Sequence, residues 1–70
     1  MAISIEQETD LEDTIDRTSL QVLLEAIQEI CNGKADHFQI DWQDPIGAKA
    51  WLQAAKALDR AINKAADLAL

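Results

Sequence analysis

The chain has 70 residues, 49% hydrophobic and 27% charged, and its 13 acids against 6 bases give a formal net charge of -7. This is the length of one small domain, and two glycines, one proline and a single cysteine exclude a collagen-like chain, an intrachain disulfide framework and a cysteine-dominated zinc site. No stretch approaches the roughly 20 apolar residues of a membrane helix and no basic-then-apolar leader opens the sequence, so a cytoplasmic address is expected.

Residues 1–16 read as an acidic N-terminal arm. Six acids fall between Glu6 and Asp16, and such a block is expected to be solvated and partly frayed. Residues 17–32 read as a first helix. Leu20, Leu23, Leu24, Ile27, Ile30 and Cys31 form its apolar stripe, and Gly33 is placed to cap its C-terminus in a left-handed conformation. Asp13 or Asp16 could cap its start. Thr9 with Glu12 also forms a capping-box pattern that would begin the helix earlier. At about 100° per residue, an early start sets Leu11, Ile15 and Val22 opposite the main stripe. Either the helix breaks near Asp16 to Ser19, or it carries two apolar faces and so a second partner surface.

Residues 33–44 read as an irregular connector. Phe38, Ile40 and Trp42 alternate with Gln39, Asp41 and Gln43, as a strand would, and the short alternation at residues 3–5 is the only visible pairing partner. A two-stranded ribbon is marginal alone. The plainer expectation is an extended loop whose three apolar side chains cap the open end of a helical hairpin.

Residues 45–70 read as the second helix. Asp44 suits the N-cap and Pro45 the first helical position, where a missing N–H costs nothing. Nine alanines between Ala48 and Ala69 raise helix propensity. The stripe Trp51, Ala54, Ala55, Leu58, Ala61, Ile62, Ala65, Leu68, Ala69 is wide and mostly small, which predicts close approach of another helix and more than one neighbour. Lys49, Gln53, Lys56, Arg60, Asn63, Lys64 and Asp67 occupy the opposite face.

The charge is lopsided. Residues 1–44 hold eleven acids and two bases, whereas residues 45–70 hold two acids and four bases. An acidic chain repels phosphates, so no direct nucleic-acid binding is expected. Pairs between the acidic arm and the basic helix face, within or between chains, would contribute about 0–1 kcal/mol each.

Little in the sequence carries chemistry. His37 is the only histidine, and no spacing signature joins it to Cys31 and Asp36 as a nucleophile triad. Cys31, His37 and Asp41 match no recurrent metal-ligand pattern. Gly33 and Gly47 stand apart, so no phosphate-binding loop is present. Cys31 reads as a small buried hydrophobe, Trp51 as core, and Trp42 as a core cap or a partner anchor. No catalysis, cofactor, metal or membrane contact is expected.

A chain near 70 residues rarely draws more than about 3–5 kcal/mol from its own core, and with disulfides excluded self-association is the remaining device. The expected fold is all-α: an acidic arm (1–16) before an antiparallel helical hairpin (17–70), two hairpins pairing into a dimeric four-helix arrangement. Leu24, Ile27, Trp51, Leu58 and Ile62 are the expected self-interface. Leu11, Ile15, Val22, Phe38 and Trp42 are expected to meet a further protein. The expected function is a small non-catalytic interaction or accessory subunit acting as a homodimer. The alternatives are an acidic inhibitor or antitoxin that shields the basic site of a nucleic-acid-binding partner, and a ligand site built at the dimer seam from Trp42, His37 and Asp41.

Overall fold

The computed structural model of the chain describes residues 3–70, which form three α-helices and no strand: α1 Ile5–Arg17, α2 Leu20–Ile40 and α3 Pro45–Asp67. The all-α expectation holds. Met1 and Ala2 of the expected arm lie outside the described residues.

The acidic arm is a helix rather than a frayed segment. Ser4 caps it: its Oγ accepts from the Gln7 amide (3.2 Å) while the Gln7 side chain accepts from the Ser4 amide (3.1 Å). Glu6 and Glu8 in the first turn and Arg17 in the last suit the helix dipole. Thr9 is therefore an interior residue, donating to the Ile5 carbonyl (2.9 Å) instead of capping, and Asp13 and Asp16 also lie inside α1.

The chain breaks after Arg17, within the window the opposed apolar positions marked. The Thr18 hydroxyl donates to the Thr14 carbonyl at 2.7 Å, and Ser19, in an extended conformation, accepts from the Val22 amide at 3.0 Å. Hydroxyls that bond nearby backbone end one helix and start the next. No residue of α1 is buried.

α2 corrects two further expectations. Gly33 lies in the helix interior and caps nothing; a Cβ built on it meets no atom within 4 Å. The connector is helical as far as Ile40, so neither the extended loop nor the ribbon forms among the described residues. The reason lies in a second periodicity. Cys31, Ala35 and Phe38 follow one another at steps of four and three, and this helical spacing puts Cys31 and Ala35 into contact with α3, where both are buried. Burial along the helical stripe overrides the short alternation of Phe38, Ile40 and Trp42, and leaves Ile40 exposed.

The reversal at residues 41–44 is tight. Gln43 takes a left-handed φ of 50°, and the Asp44 amide donates to the Phe38 carbonyl at 2.8 Å. Asp44 then caps α3 by accepting from the Gly47 amide (3.0 Å), with Pro45 in the first turn. α3 returns along α2: the Leu20 amide donates to the Leu70 carbonyl (2.6 Å) and Gln28 Nε2 to the Ala55 carbonyl (2.9 Å). The seam is lined by small side chains, with Cys31 and Ala35 of α2 buried against Ala48, Ala55, Ile62 and Ala65 of α3. At the far end Ala69 has φ 57°, and the Leu70 and Ala69 amides bond the Ala65 and Ala66 carbonyls, the paired bonds of a Schellman cap.

The two glycines make opposite predictions. Gly33→Ala is expected to raise stability by about 0.5–1 kcal/mol, since an open helix interior favours alanine; a left-handed cap would have given the reverse sign. Gly47→Ala is expected to be neutral or destabilising, because the added Cβ would sit 2.6 Å from Asp44 Oδ2 and 3.1 Å from Phe38 Cδ1. Urea midpoints of the two variants against the parent check both.

Candidate functional site

Two features stand out from the packed seam: an aromatic end and a set of uncovered apolar faces. The end lies where α2 hands over to α3. The last turn of α2 supplies His37 and Phe38, the reversal supplies Asp41 and Trp42, and the second turn of α3 supplies Trp51. Phe38 is the hub. Its ring meets Trp42 edge-on at a centroid distance of 4.7 Å and stacks on Trp51 at 6.3 Å with a 26° interplanar angle. Such pairs contribute about 0.5–1.5 kcal/mol beyond area burial. His37 reaches Trp42 at 5.4 Å, and its Nδ1 lies 2.6 Å from an Asp41 carboxylate oxygen. Both members of this i,i+4 pair are about half exposed, so it orients the imidazole more than it stabilises the fold.

The structure thus brings Trp42, His37 and Asp41 together, as a seam ligand site would need. It does not add Cys31, which is buried on the α3 side of α2. Among the described residues no three His, Cys, Asp or Glu side chains gather as a metal-binding group.

The five residues expected at a self-interface all line the α2/α3 seam of one chain. Ile62 is buried, and Leu24, Ile27, Trp51 and Leu58 are half-buried. One chain's own packing accounts for their burial without a second copy. Of the five expected to meet a partner, Leu11, Val22 and Trp42 are exposed, Trp42 to 63%, while Ile15 and Phe38 are half-buried.

Sequence reasoning missed a different set of exposed side chains. Ile30 is 60% and Ile46 82% exposed, and Ile3, Ile5, Ile40, Leu52, Leu68 and Leu70 are exposed as well. By sequence spacing Ile30 belongs to the apolar stripe of α2 and Leu68 to that of α3. Their exposure follows from the seam using only one edge of each stripe. α1 adds an open groove lined by Ile3, Gln7, Asp10, Leu11 and Thr14.

Gln28 shows which edge of the α2/α3 pair is which. It bonds both the Ala55 carbonyl and the Asp59 carboxylate, so Gln28 and Asp59 mark one margin of the seam. At about 100° per residue, Ile30 of α2 and Ala61 of α3 lie toward the other margin. Both are exposed. The helix pair therefore has a polar edge and an opposite edge with uncovered apolar side chains.

No known protein family matches the chain, and no curated protein or solved structure does. No helix among the described residues is long and apolar enough to cross a membrane.

The two tryptophans should report separately. Trp51→Phe leaves Trp42, whose emission is expected to be red-shifted and readily quenched by acrylamide. Trp42→Phe leaves Trp51, shielded against Phe38 and quenched less. Equal quenching of the two variants would show that the aromatic end is packed differently.

Proposed function

We propose that the chain is a small, non-catalytic interaction subunit that works as a homodimer: a helical hairpin (α2 and α3) carrying an acidic helical arm, two copies of which combine their hairpins. The observation that carries this reading is the balance of buried and uncovered surface. Among the described residues no large side chain is completely buried, while eleven large hydrophobic side chains are exposed. Monomeric proteins rarely leave contiguous apolar faces open, and a seam built mainly on alanines stabilises a single chain only modestly. A second copy supplies the missing cover. The half-buried aromatic end, with exposed Trp42, suits docking of a further protein, since Trp is enriched among the residues that dominate interface energies.

A second reading, an acidic inhibitor that occupies the basic site of a nucleic-acid-binding protein, is favoured by one feature of α1. Its six acids are all exposed on an ordered helix, which is a surface a cationic groove would accept. The two readings separate by salt. Contacts on acids weaken steeply as ionic strength rises, whereas apolar contacts do not.

Sedimentation velocity over a dilution series is expected to show a dimer that dissociates reversibly, with coupled loss of thermal stability on dilution. A compact, cooperatively melting monomer at all concentrations would remove the homodimer reading. Neutralising Glu6, Glu8, Asp10, Glu12 and Asp13 together is expected to leave capture of the apolar-docked partner intact; loss of salt-sensitive capture of a basic partner would favour the inhibitor reading instead.

A further inference from the structure

Resting on the homodimer reading, we propose which surfaces meet: two α2/α3 pairs stack face to face about a two-fold axis parallel to their helices, so that α2 of each copy lies antiparallel on α3 of the other. The sidedness of the helix pair carries this. Gln28 and Asp59 fix one side of the seam. At about 100° per residue, turning away from that side brings up Leu23, Ile27 and Ile30 within an arc of about 60° on α2. The same turn on α3 and its C-cap brings up Ala54, Ala61 and Leu68 within about 40°. Of the six exposed large hydrophobic side chains of these two helices, Val22, Ile30, Ile40, Ile46 and Leu68 lie on or beside this face, and only Leu52 lies on the Gln28 side. Lys34, His37 and Asp41 make the face polar toward the loop, so its apolar centre runs from Leu23 to Ile30.

The face is continuous with the seam. Ile27 and Leu58 are half-buried where the two meet, and a second copy of the face would complete their burial in a four-helix core. Exposed Ala54 and Ala61 let a facing helix come close.

Charge selects which helices face each other. Beyond the apolar arc, the outer flank of α2 is acidic, with Glu29 first and then Asp36 and Glu25, whereas that of α3 carries Lys64 and Arg60. Stacking α2 on α2 would set acid beside acid and base beside base. Stacking α2 on α3 sets acid beside base. An axis parallel to the helices also leaves every residue at its own height, so the register is not free. Gln28 with Ala55, Phe38 with Trp51 and Leu20 with Leu70 give the heights at which the helices lie level. On that scale Glu29 falls within about one turn of Arg60, and exposed Ile40 within about one turn of exposed Ile46. Within one chain these partners stand on opposite outer edges of the pair, and among the described residues the only ion pair is His37 with Asp41. Stacking brings each beside its partner in the second copy. Exposed ion pairs contribute little affinity, so the apolar face supplies the binding and Glu29 and Arg60 set the pairing.

The test uses the full chain, with self-association read by sedimentation velocity. Ile30→Asp and Leu52→Asp each put a carboxylate at an exposed position, one on the stacked face and one on the opposite side, so both should keep the parent's helix content by circular dichroism. Ile30→Asp is expected to weaken dimerisation at least about tenfold, because the contact would bury an unpaired charge; Leu52→Asp is expected to leave it unchanged. Glu29→Arg and Arg60→Glu are each expected to weaken it about two- to tenfold, and the chain carrying both, which keeps the parent's net charge, to recover the parent's affinity. A Glu29→Arg chain that dimerises as tightly as the parent or more tightly would overturn the pairing of α2 with α3. An Ile30→Asp chain that dimerises like the parent, or a Leu52→Asp chain that does not, would overturn the face. Each of these results leaves the homodimer standing. A parent chain that is monomeric at every concentration would overturn the homodimer and the stacking with it.

Discussion

The close approach of α2 to α3 organises everything else in this chain. It is made possible by small side chains: Ala35 and Cys31 on one helix, Ala48, Ala55 and Ala65 on the other, all buried. An alanine seam brings two backbones near enough for Gln28 to bond the Ala55 carbonyl across it and for the Leu20 amide to find the Leu70 carbonyl at its end. The second of these bonds satisfies helix-end groups that a looser pairing would leave to solvent. The same seam is also thin. Small residues bury little apolar area each, and burial is what offsets the entropy of ordering the chain.

The larger side chains are placed by this geometry. Because alanines occupy the middle of the contact, Leu24, Ile27, Leu58 and Trp51 sit at its margins and are only half-covered. Ile30, Ile46 and Leu68 fall beyond the margins altogether. Only at the loop end, where the helices are joined by four residues, do large rings gather, with Phe38 held between Trp42 and Trp51. Aromatic packing is therefore concentrated at that end, and the apolar side chains left open run along the body of the pair. α1 stands beside them as an acidic helix with an open apolar side of its own.

Much of the architecture was legible in the residues. Asp44 and Pro45 start α3 where a cap and a first-turn proline belong, and Cys31 reads as a small buried hydrophobe from its place in a helical stripe. The opposition of Leu11 and Ile15 to the main stripe left a break and a two-faced helix equally open, and Thr18 and Ser19 make the break. Other signals pointed both ways. Gly33 after Asn32 has the look of a C-cap, and Phe38, Ile40 and Trp42 alternate like a strand. Ser4 with Gln7 is a capping box just as legible as Thr9 with Glu12, and was the one used.

Local chemistry thus determined that the chain is helical, where its third helix starts and that its cysteine lies inside. It also determined that acids and bases divide between the ends, because composition, caps and periodicity act over a few residues. Which of two competing patterns prevails in residues 33–40 was decided only by packing: the helical register gives Ala35 and Phe38 a place against α3, and the one candidate strand partner, residues 3–5, is taken up by the start of α1. The assignment of apolar side chains to a buried seam or an open face was likewise a tertiary matter. A stripe wide enough for two neighbours does not say which edge each neighbour takes until one helix has docked on the other.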